Sequence, residues 1–272
     1  MQRKRVALVT GASSGFGRSI AMTLLSNGFA VYGTSRKPKA AAHEGFRMLG
    51  LDVESDRSVA GCVTQVTKEA GTIDVLVNNA GYLSAGSLEE STVRGAKAQF
   101  ETNFFGVVRM VNAILPIMRR RREGRIINIS SIASSIPVPF QGFYAPSKAA
   151  LTSYSEGLRM EVKSLGIKVS VIEPGLFKTN LFAAARSAPV RISDYGDASG
   201  KVKAKLAKVA ANGGNPVMVA ETVLRVINAR SPRFRYAVGR DRQYLSVKRL
   251  VPEQLFESAK ERYFGIGTGK RR

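Results

Sequence analysis

Short apolar runs alternate with longer segments of helical period along most of the chain. Seven of these runs are typical of buried strands: RVALVT, FAVYGTS, FRMLGLDV, IDVLVNNA, GRIINISS, IKVSVIEPG and FRYAVG. The segments between them are long enough for the crossover helices that connect parallel strands. The pattern predicts an α/β fold with a doubly wound, mostly parallel sheet, helices on both of its faces, and a single domain over residues 1–272.

Two prolines bear on the predicted helices. A helical segment is predicted from about residue 92 to about residue 118, and we expect it to end near Pro116. Another helix is predicted to open at FYAPSK, with Pro146 in its first turn, where a missing N–H costs little.

The composition excludes several classes of site. Cys62 is the only cysteine and His43 the only histidine among 272 residues. Disulfides, cysteine-rich zinc sites and catalytic pairs of histidines are therefore excluded, and we predict no metal site. His43 lies in the loop-like AAAHEGF, and the chain has no GxSxG motif, which argues against a serine hydrolase.

The amino-terminal sequence MQRKRVALVTGA has basic residues before an apolar run, as signal peptides do. The run VALVT is too short for the apolar region of a signal peptide and leads directly into a glycine-rich turn. The sequence also has no run of about eighteen apolar residues, the length that a membrane-spanning helix needs. We therefore interpret VALVT as the first strand and expect a cytoplasmic protein.

The first predicted strand leads into TGASSGFG, in which Gly11, Gly15 and Gly17 precede a helix. Glycines at such a turn let the backbone approach a pyrophosphate, and the helix N-terminus supplies free N–H groups and partial positive charge. The spacing differs from the common GxGxxG fingerprint. The turn predicts a dinucleotide site, although by itself it also fits a simple tight connection.

The second predicted strand ends in Ser35, Arg36 and Lys37, without an acidic residue. Enzymes that select NAD usually place an acidic residue there for the ribose hydroxyls, whereas the planar donors of Arg36 suit a 2′-phosphate. We therefore predict NADP(H) as the cofactor, with Arg36 and Lys37 among its contacts. The alternative is an arginine that is merely exposed after a strand.

Tyr144 and Lys148 lie four residues apart where a helix is predicted to begin, so both side chains share one helix face. A free tyrosine has a pKa of about 10 and is a poor acid or base near neutrality unless a neighbouring cation favours its phenolate. Lys148 supplies such a cation, and Ser131 lies at the end of the predicted strand GRIINISS. The group predicts acid–base chemistry, whereas the spacing alone also fits a surface pair.

The same spacing recurs at Tyr244 and Lys248, and Ser231 precedes Tyr244 by thirteen residues, as Ser131 precedes Tyr144. Ser231 comes before its predicted strand, whereas ligands of open α/β sheets bind at the carboxyl ends of the strands. We therefore expect the second pair to lie on the surface of a C-terminal helix.

Six motifs occur in order: TGASSGFG, NNAG at 78–81, ETNFFG, INISS, YAPSK and EPG at 173–175. With these motifs the chain resembles the short-chain dehydrogenase/reductase family, in its compact single-domain type, from about residue 4 to about residue 190. The resemblance implies a Rossmann-type sheet of seven strands and a catalytic tetrad of Asn103, Ser131, Tyr144 and Lys148.

The resemblance also implies a role for each member of the tetrad. Tyr144 is expected to give a proton to a carbonyl oxygen as hydride arrives from NADPH, or to remove it in the opposite direction. Lys148 is expected to lower the pKa of Tyr144 and to bind the nicotinamide ribose. Ser131 is expected to orient the carbonyl, and Asn103 to hold a water that replenishes the proton.

Further cofactor contacts follow from the resemblance alone. They fall in the glycine turn, after the third and fourth predicted strands, and around the EPG motif: Ser13, Ser14, Phe16, Asp52, Val53, Asn79, Ala80, Gly81, Pro174, Gly175, Phe177 and Thr179. Asp52 and Val53 are expected near the adenine, and Thr179 near the carboxamide of the nicotinamide.

The residues between Ser131 and Tyr144, and those after the EPG motif, are expected to line a substrate pocket. Ser131 forms its polar corner, and the apolar candidates are Ile132, Phe140, Phe143, Leu176 and Leu181. The chain is thus predicted to be an oxidoreductase of hydrophobic ketones, aldehydes or alcohols, of steroid, retinoid or lipid type. The alternative for these residues is that they only cover the sheet.

Residues from about 181 to about 216 are a candidate lid.

Two other functions stay open at this point. A 3-oxoacyl-thioester reductase uses the same tetrad and has a use for a basic surface, which attracts an acidic carrier protein. A non-catalytic cationic scaffold or nucleic-acid binder keeps the fold without turnover. The resemblance also implies a homodimer or homotetramer, built through the helices that begin near residues 92 and 143.

The formal net charge is +22, and residues 201–272 hold seventeen Lys or Arg against five Asp or Glu. A solvated basic surface is the simplest interpretation; attraction of a polyanionic cofactor, an acidic membrane surface or nucleic acid are the others. The runs RRRREGR and GKRR lack the aromatic residues of a base-stacking platform, so nucleic acid is not favoured. The basic extension over about 240–272 leaves peripheral membrane contact open.

Overall fold

The computed structural model describes residues 3–38, 45–182 and 184–266, which contain nine strands and nine α-helices. His43 and the rest of residues 40–44 of its predicted loop lie outside these residues. The strands are β1 (Val6–Val9), β2 (Ala30–Ser35), β3 (Arg47–Gly50), β4 (Val75–Asn78), β5 (Ser84–Ala85), β6 (Gly124–Ile129), β7 (Ile167–Pro174), β8 (Arg186–Ser187) and β9 (Arg235–Val238). The helices are α1 (Gly15–Ser26), α2 (Asp56–Ala70), α3 (Val93–Phe100), α4 (Gly106–Arg121), α5 (Tyr144–Val162), α6 (Ala198–Ala211), α7 (Val217–Asn228), α8 (Gln243–Leu250) and α9 (Glu253–Phe264).

Seven strands form one sheet in the order β3-β2-β1-β4-β6-β7-β9, and every neighbouring pair is parallel. Each of the seven contains part of one predicted run, so the predicted fold class is confirmed. The order reverses between β1 and β4, because the chain first builds outward to β3 and then returns. Doubly wound sheets bind their ligands at this switch point, outside the carboxyl ends of the strands.

Alternate residues of the central strands pack against helices on opposite faces of the sheet, as the period of a strand requires. In β1, Val6 and Leu8 join the core cluster under α2, α4 and α5, whereas Ala7 and Val9 join the cluster under α1 and α7. All four residues of β1 are buried. The continuous apolar runs of the sequence therefore reflect strands that are covered on both faces.

The helical segment before β6 differs from its prediction. α4 contains Pro116 and continues to Arg121, so the expected end near Pro116 is wrong. A proline in a helix removes one hydrogen bond, but Met110, Ile114 and Met118 keep one buried stripe across it. Burial of this stripe holds the helix together beyond the proline. A π-helical turn, Glu101–Phe105, separates α3 from α4.

The predicted lid over about 181–216 contains β8 and α6. β8 pairs in parallel with β5, which follows β4, so two short strands join the loops after β4 and β7. Val202 and Leu206 of α6 pack against Phe264 of α9. Within the described residues, no helix combines the length and the apolar character that crossing a bilayer requires.

Candidate active site

A cleft of about 420 Å³ lies at the carboxyl ends of the central strands, over the switch point. Predicted cofactor residues that line it are Gly11, Ser13, Ser14, Gly15, Phe16, Arg36, Asp52, Val53, Asn79, Ala80, Gly81, Tyr144, Lys148 and Thr179. Their segments follow β1, β2, β3, β4 and β7 or belong to α5. The fold therefore brings these dispersed residues to one surface.

The glycine turn after β1 approaches the loop after β4 closely. Gly11 and Gly15 have φ angles of +66° and +53°, in the left-handed region that favours glycine. A Cβ atom on Gly17 would lie only 2.2 Å from the carbonyl oxygen of Gly11. The Asn79 side chain donates to the carbonyl oxygens of Thr10 (2.9 Å) and Gly11 (3.1 Å), which fixes the turn.

These residues fit a nicotinamide dinucleotide. The turn leads into α1, whose first N–H groups suit a pyrophosphate. Ser35, at the end of β2, lines the cleft, and its hydroxyl oxygen is buried without a hydrogen-bond partner in the described part of the chain. Arg36 follows with an exposed side chain in the same lining. This end of the cleft therefore offers a hydroxyl and a guanidinium to a ribose or its phosphate.

Tyr144 is the first residue of α5, and Lys148 lies one turn later on the same face. Only 8% of Tyr144 and 5% of Lys148 are exposed. The Lys148 ammonium donates to the carbonyl oxygen of Ile129, 2.8 Å away at the end of β6, and lies 5.9 Å from the centre of the Tyr144 ring. The last residue of a central strand thus holds the ammonium beside the phenol.

Burial dominates the electrostatics of this pair. It raises the pKa of Tyr144, because a phenolate loses its hydration there, and the nearby Ser131 hydroxyl opposes the rise in part. Burial also lowers the pKa of Lys148 to about 8. The net direction is therefore a raised pKa for Tyr144, and the expected effect of Lys148 on it stays a prediction. The phenol is protonated at neutral pH, the form that can donate a proton.

Ser131 lies two residues after the end of β6, where it caps a short 3₁₀ turn, Ile132–Ser134. Its Oγ accepts from the Ala133 backbone N–H at 3.1 Å and lies 3.5 Å from the carbonyl oxygen of Pro174. The hydroxyl donates to that carbonyl oxygen, and at 3.5 Å this hydrogen bond is weak enough for a substrate oxygen to replace it. Ser131 is thus held between the end of β6 and the end of β7, on the side of Tyr144.

Asn103 lies in the π-helical turn and is fully buried. Its Nδ2 donates to the Tyr82 carbonyl oxygen and to Ser147 Oγ, both at 3.1 Å, and its Oδ1 accepts from the Tyr82 N–H at 3.0 Å. Both N–H groups of the amide are therefore used in joining the loop after β4 to α5. The predicted water at Asn103 stays a prediction.

The other predicted cofactor residues lie outside the cleft lining. Lys37 is exposed beyond Arg36, and Gly17 packs against Gly11. Phe177 is 2% exposed and meets Phe16 edge to face at 5.3 Å between ring centres, so its side chain belongs to the core under α1 and α7. Pro174 is the last residue of β7, and Gly175 follows it with the Asp241 side chain packed close to its Cα.

The predicted apolar substrate residues divide between four places. Leu181 lines the cleft and packs with Tyr144 in a small apolar cluster. Phe143 lines a neighbouring cavity of about 140 Å³. Phe140 and Leu176 pack with α6 and α9, and Ile132 is buried in its 3₁₀ turn. The apolar residues thus extend from Tyr144 toward the C-terminal helices.

The second tyrosine–lysine pair lies apart from this site. Tyr244 is 46% exposed on α8, and Lys248 is also exposed, with its ammonium 2.5 Å from the carbonyl oxygen of Ser135. Ser231 is exposed and precedes β9. The predicted surface position of this pair is confirmed.

Several cleft residues escaped the sequence analysis, among them Glu54, Tyr82, Thr102 and Arg186. Glu54 and Tyr82 follow β3 and β4 closely, so their positions after strands were a usable signal. Arg186 had no such signal, because the pairing of β5 with β8 brings it there.

Comparison with known proteins agrees with this geometry. Residues 5–189 match the family model described as short chain dehydrogenase. The 3-ketodihydrosphingosine reductase of Bacteroides thetaiotaomicron is 39% identical over 96% of this chain and 98% of its own. The NADPH-dependent 3-dehydrocapnine reductase of Ornithobacterium rhinotracheale is 29% identical over 93% and 95%. The crystal structure of a short-chain dehydrogenase from Streptomyces avermitilis has a TM-score of 0.82 and 34% identity, over 96% and 98%. The chain therefore belongs to the short-chain dehydrogenase family and is an oxidoreductase of alcohol and carbonyl groups.

Proposed function

We propose that this protein uses NADP(H) to interconvert a hydrophobic, long-chain ketone and its alcohol, and that reduction is its favoured direction. The observation that carries the proposal is the position of Tyr144. Its phenol lies between the dinucleotide cleft and an apolar wall of Leu83, Ala133, Leu181 and Phe182. A ketone on an apolar body can thus meet a proton donor and a hydride donor together.

In this reaction NADPH, when bound, supplies the hydride. Tyr144 holds the proton that the carbonyl oxygen receives, and burial keeps that proton on the phenol at neutral pH. The Ser131 hydroxyl donates to the same oxygen and orients it. Lys148, fixed by Ile129, supplies positive charge beside the phenol as the proton leaves. The apolar wall excludes water from the reacting carbon.

Preference for NADP(H) over NAD(H) is supported by the end of β2. Ser35 and Arg36 line the cleft there, and no acidic residue stands at these positions to repel a 2′-phosphate. The relative from Ornithobacterium, which is named as NADPH-dependent, agrees with this assignment.

The substrate class is supported by the apolar residues that continue from Tyr144 to α6 and α9. Leu181 and Phe182 pack beside Tyr144, and Phe182 also packs with Phe140, Leu176 and the C-terminal helices. The relative named as a 3-ketodihydrosphingosine reductase acts, by that name, on a keto group in a long-chain base. We propose a long-chain 3-keto compound of this type.

A homo-oligomer is also proposed. Val93 and Met160, on α3 and α5, are 73% and 69% exposed, and Phe105 of the π turn is 44% exposed. Exposed apolar side chains on these helices are suited to a contact between subunits.

The test measures NADPH oxidation by wild type, Tyr144→Phe and Tyr244→Phe with 3-ketodihydrosphingosine, a short ketone of the same head group, and a 3-oxoacyl thioester. We expect wild type to prefer the long-chain ketone, and Tyr144→Phe to lose about 10²- to 10⁴-fold in kcat. Tyr244→Phe is the matched control and keeps its activity. Preference for the thioester, or equal loss in both variants, contradicts the proposal.

A further inference from the structure

The helices α8 and α9 expose large apolar side chains. Leu250, the last residue of α8, is 83% exposed, and Leu255, in the first turn of α9, is 62% exposed. Tyr244 and Val247 of α8 are 46% and 40% exposed. No residue of α8 is buried, although a helix of eight residues is not stable by itself in water. Among the residues that the structure describes, nothing covers this apolar face of α8 and α9.

Basic side chains surround this face. α6 and residues 240–266 carry ten Lys or Arg against four Asp or Glu. α6 belongs to the same surface, since Val202 and Leu206 pack against Phe264, and the Lys205 ammonium lies 4.5 Å from the centre of the Tyr263 ring. Burial and the nearby Tyr244 and Asp241 raise the pKa of Tyr263, so the start of α8 lies beside the end of α9.

We propose that the surface formed by α6, α8 and α9 docks this protein onto an anionic lipid membrane. Exposed leucines beside an excess of cations match the two attractions of an interfacial helix, burial at the acyl boundary and attraction to acidic head groups. The docking goes beyond the proposed reaction and does not depend on it.

The composition of this face argues against two other partners, a second copy of this chain and a nucleic acid. In a two-fold contact between copies of this chain, the same cationic patch faces itself, and like charges repel. The phosphates of a nucleic acid can pair with the basic side chains, but the bases stack on aromatic rings, and leucine and valine provide none. An anionic lipid surface suits both groups, because its head groups attract the basic side chains and its acyl region buries the aliphatic ones.

The docking surface is joined to the active site. Lys248 of α8 donates to the carbonyl oxygen of Ser135, at the end of the 3₁₀ turn that Ser131 begins. Asp241 accepts from the Leu176 N–H at 2.7 Å, directly after Pro174 and Gly175. The apolar cluster under α6 and α9 also includes Phe140, Leu176 and Phe182. A membrane at this surface therefore lies beside the apolar end of the predicted substrate pocket, where a long-chain substrate can enter from the lipid.

The experiment uses the full chain and vesicles of phosphatidylcholine, with and without phosphatidylglycerol, at low and high salt. Sedimentation is expected to recover wild type with the anionic vesicles at low salt. Leu250→Glu with Leu255→Glu abolishes this binding, and Arg242→Glu with Arg249→Glu weakens it by about tenfold or more. The pair Arg119→Glu with Arg120→Glu makes a matched charge change in the last turn of α4, beside the amino end of β6, and leaves binding unchanged.

A second variant removes any dependence on how well the glutamate variants fold. The chain contains no tryptophan, so Leu250→Trp introduces a single fluorescent reporter. Its emission is expected to shift to shorter wavelength with anionic vesicles, whereas Met160→Trp shows no shift. Failure of wild type to bind anionic vesicles, or a shift only when the protein associates with itself or with DNA, overturns the proposal.

Discussion

The guanidinium carbon of Arg186 lies 3.9 Å from the centre of the Tyr82 ring. Arg186 belongs to β8, in the segment after β7, and Tyr82 to the loop after β4, so the stacked pair joins the two loops beside the cleft that both residues line. Backbone hydrogen bonds from Arg186 to Leu83 and from Ala188 to Ala85 run along the same junction. The pair therefore holds the segment after β7 against the cofactor side of the site.

We predict that Arg186→Ala weakens NADPH binding by about two- to fivefold, since an exposed stack of this kind contributes about 0.5–1 kcal/mol. Tyr82→Leu should have a similar effect, but little further effect in the Arg186→Ala background. Fluorescence titration with NADPH measures all three. Arg191→Ala, an exposed arginine of the same segment, is the control, and equal affinities for wild type and Arg186→Ala contradict the prediction.

Arg36→Asp is expected to reverse the cofactor preference. A charge-assisted contact to the 2′-phosphate contributes about 1.5–3 kcal/mol, so NADPH affinity should fall by about tenfold or more while NADH affinity is kept or improved. Dissociation constants for both cofactors measure the change. Lys37→Asp, at an exposed position outside the cleft lining, should have the smaller effect. An unchanged preference in Arg36→Asp rules out the assignment of this residue.

Lys148 gives the cofactor-free protein a distinctive dependence on pH. Its pKa is about 8 in the folded chain but about 10.4 in the unfolded chain, so between these values the unfolded chain holds one proton more. The free energy of unfolding should therefore rise with pH from 8 to 10, by up to about 1.4 kcal/mol per unit from this group.

Urea denaturation of wild type and Lys148→Met across that range isolates the contribution of Lys148. The variant should lack this part of the rise, because methionine fills the site without a charge. Lys208→Met, an exposed lysine of α6, should follow wild type. Parallel curves for wild type and Lys148→Met are the result that refutes the prediction.

Two glycines make a matched pair for backbone effects. A Cβ on Gly17 meets the Gly11 carbonyl oxygen at 2.2 Å, so Gly17→Ala must move the phosphate turn and should lower both stability and NADPH affinity. A Cβ on Gly61, inside α2, meets nothing within 4 Å among the described atoms. Gly61→Ala should therefore raise the free energy of unfolding by about 0.5–1 kcal/mol, with NADPH affinity unchanged. Thermal unfolding and NADPH titration of both variants check the contrast.

The strands and the glycine turn were predictable because their signals are local. The four buried residues of β1 form an unbroken apolar run, and Gly11 and Gly15 mark a turn that only glycine adopts readily. The position of Arg36 at the cleft was predictable for the same reason, because it follows β2 directly and the carboxyl end of that strand faces the cleft. Each of these features depends on residues within one short stretch of sequence.

The features that escaped prediction depend on contacts between distant segments. Arg186 reaches the cleft because β8 pairs with β5, about a hundred residues earlier in the chain. No short sequence pattern predicts a pairing between two strands of two residues each. Pro116 stays within α4 because packing on the sheet outweighs one lost hydrogen bond. The raised pKa of Tyr144 likewise reflects how deeply the fold buries the phenol, a depth that helical spacing does not report.

The π-helical turn at Glu101–Phe105 divides one long helical segment into two parts that are out of phase with each other. Before the turn, Gln99 faces the loop after β4 and donates to the Tyr82 carbonyl oxygen at 2.6 Å. After it, Met110 and Ile114 face the sheet. Because each part keeps its own orientation, substitutions on α4 can adjust the packing of the core without turning Asn103 or Gln99 away from the loop. The π turn thus lets one helical segment present one face to the loop after β4 and another to the sheet.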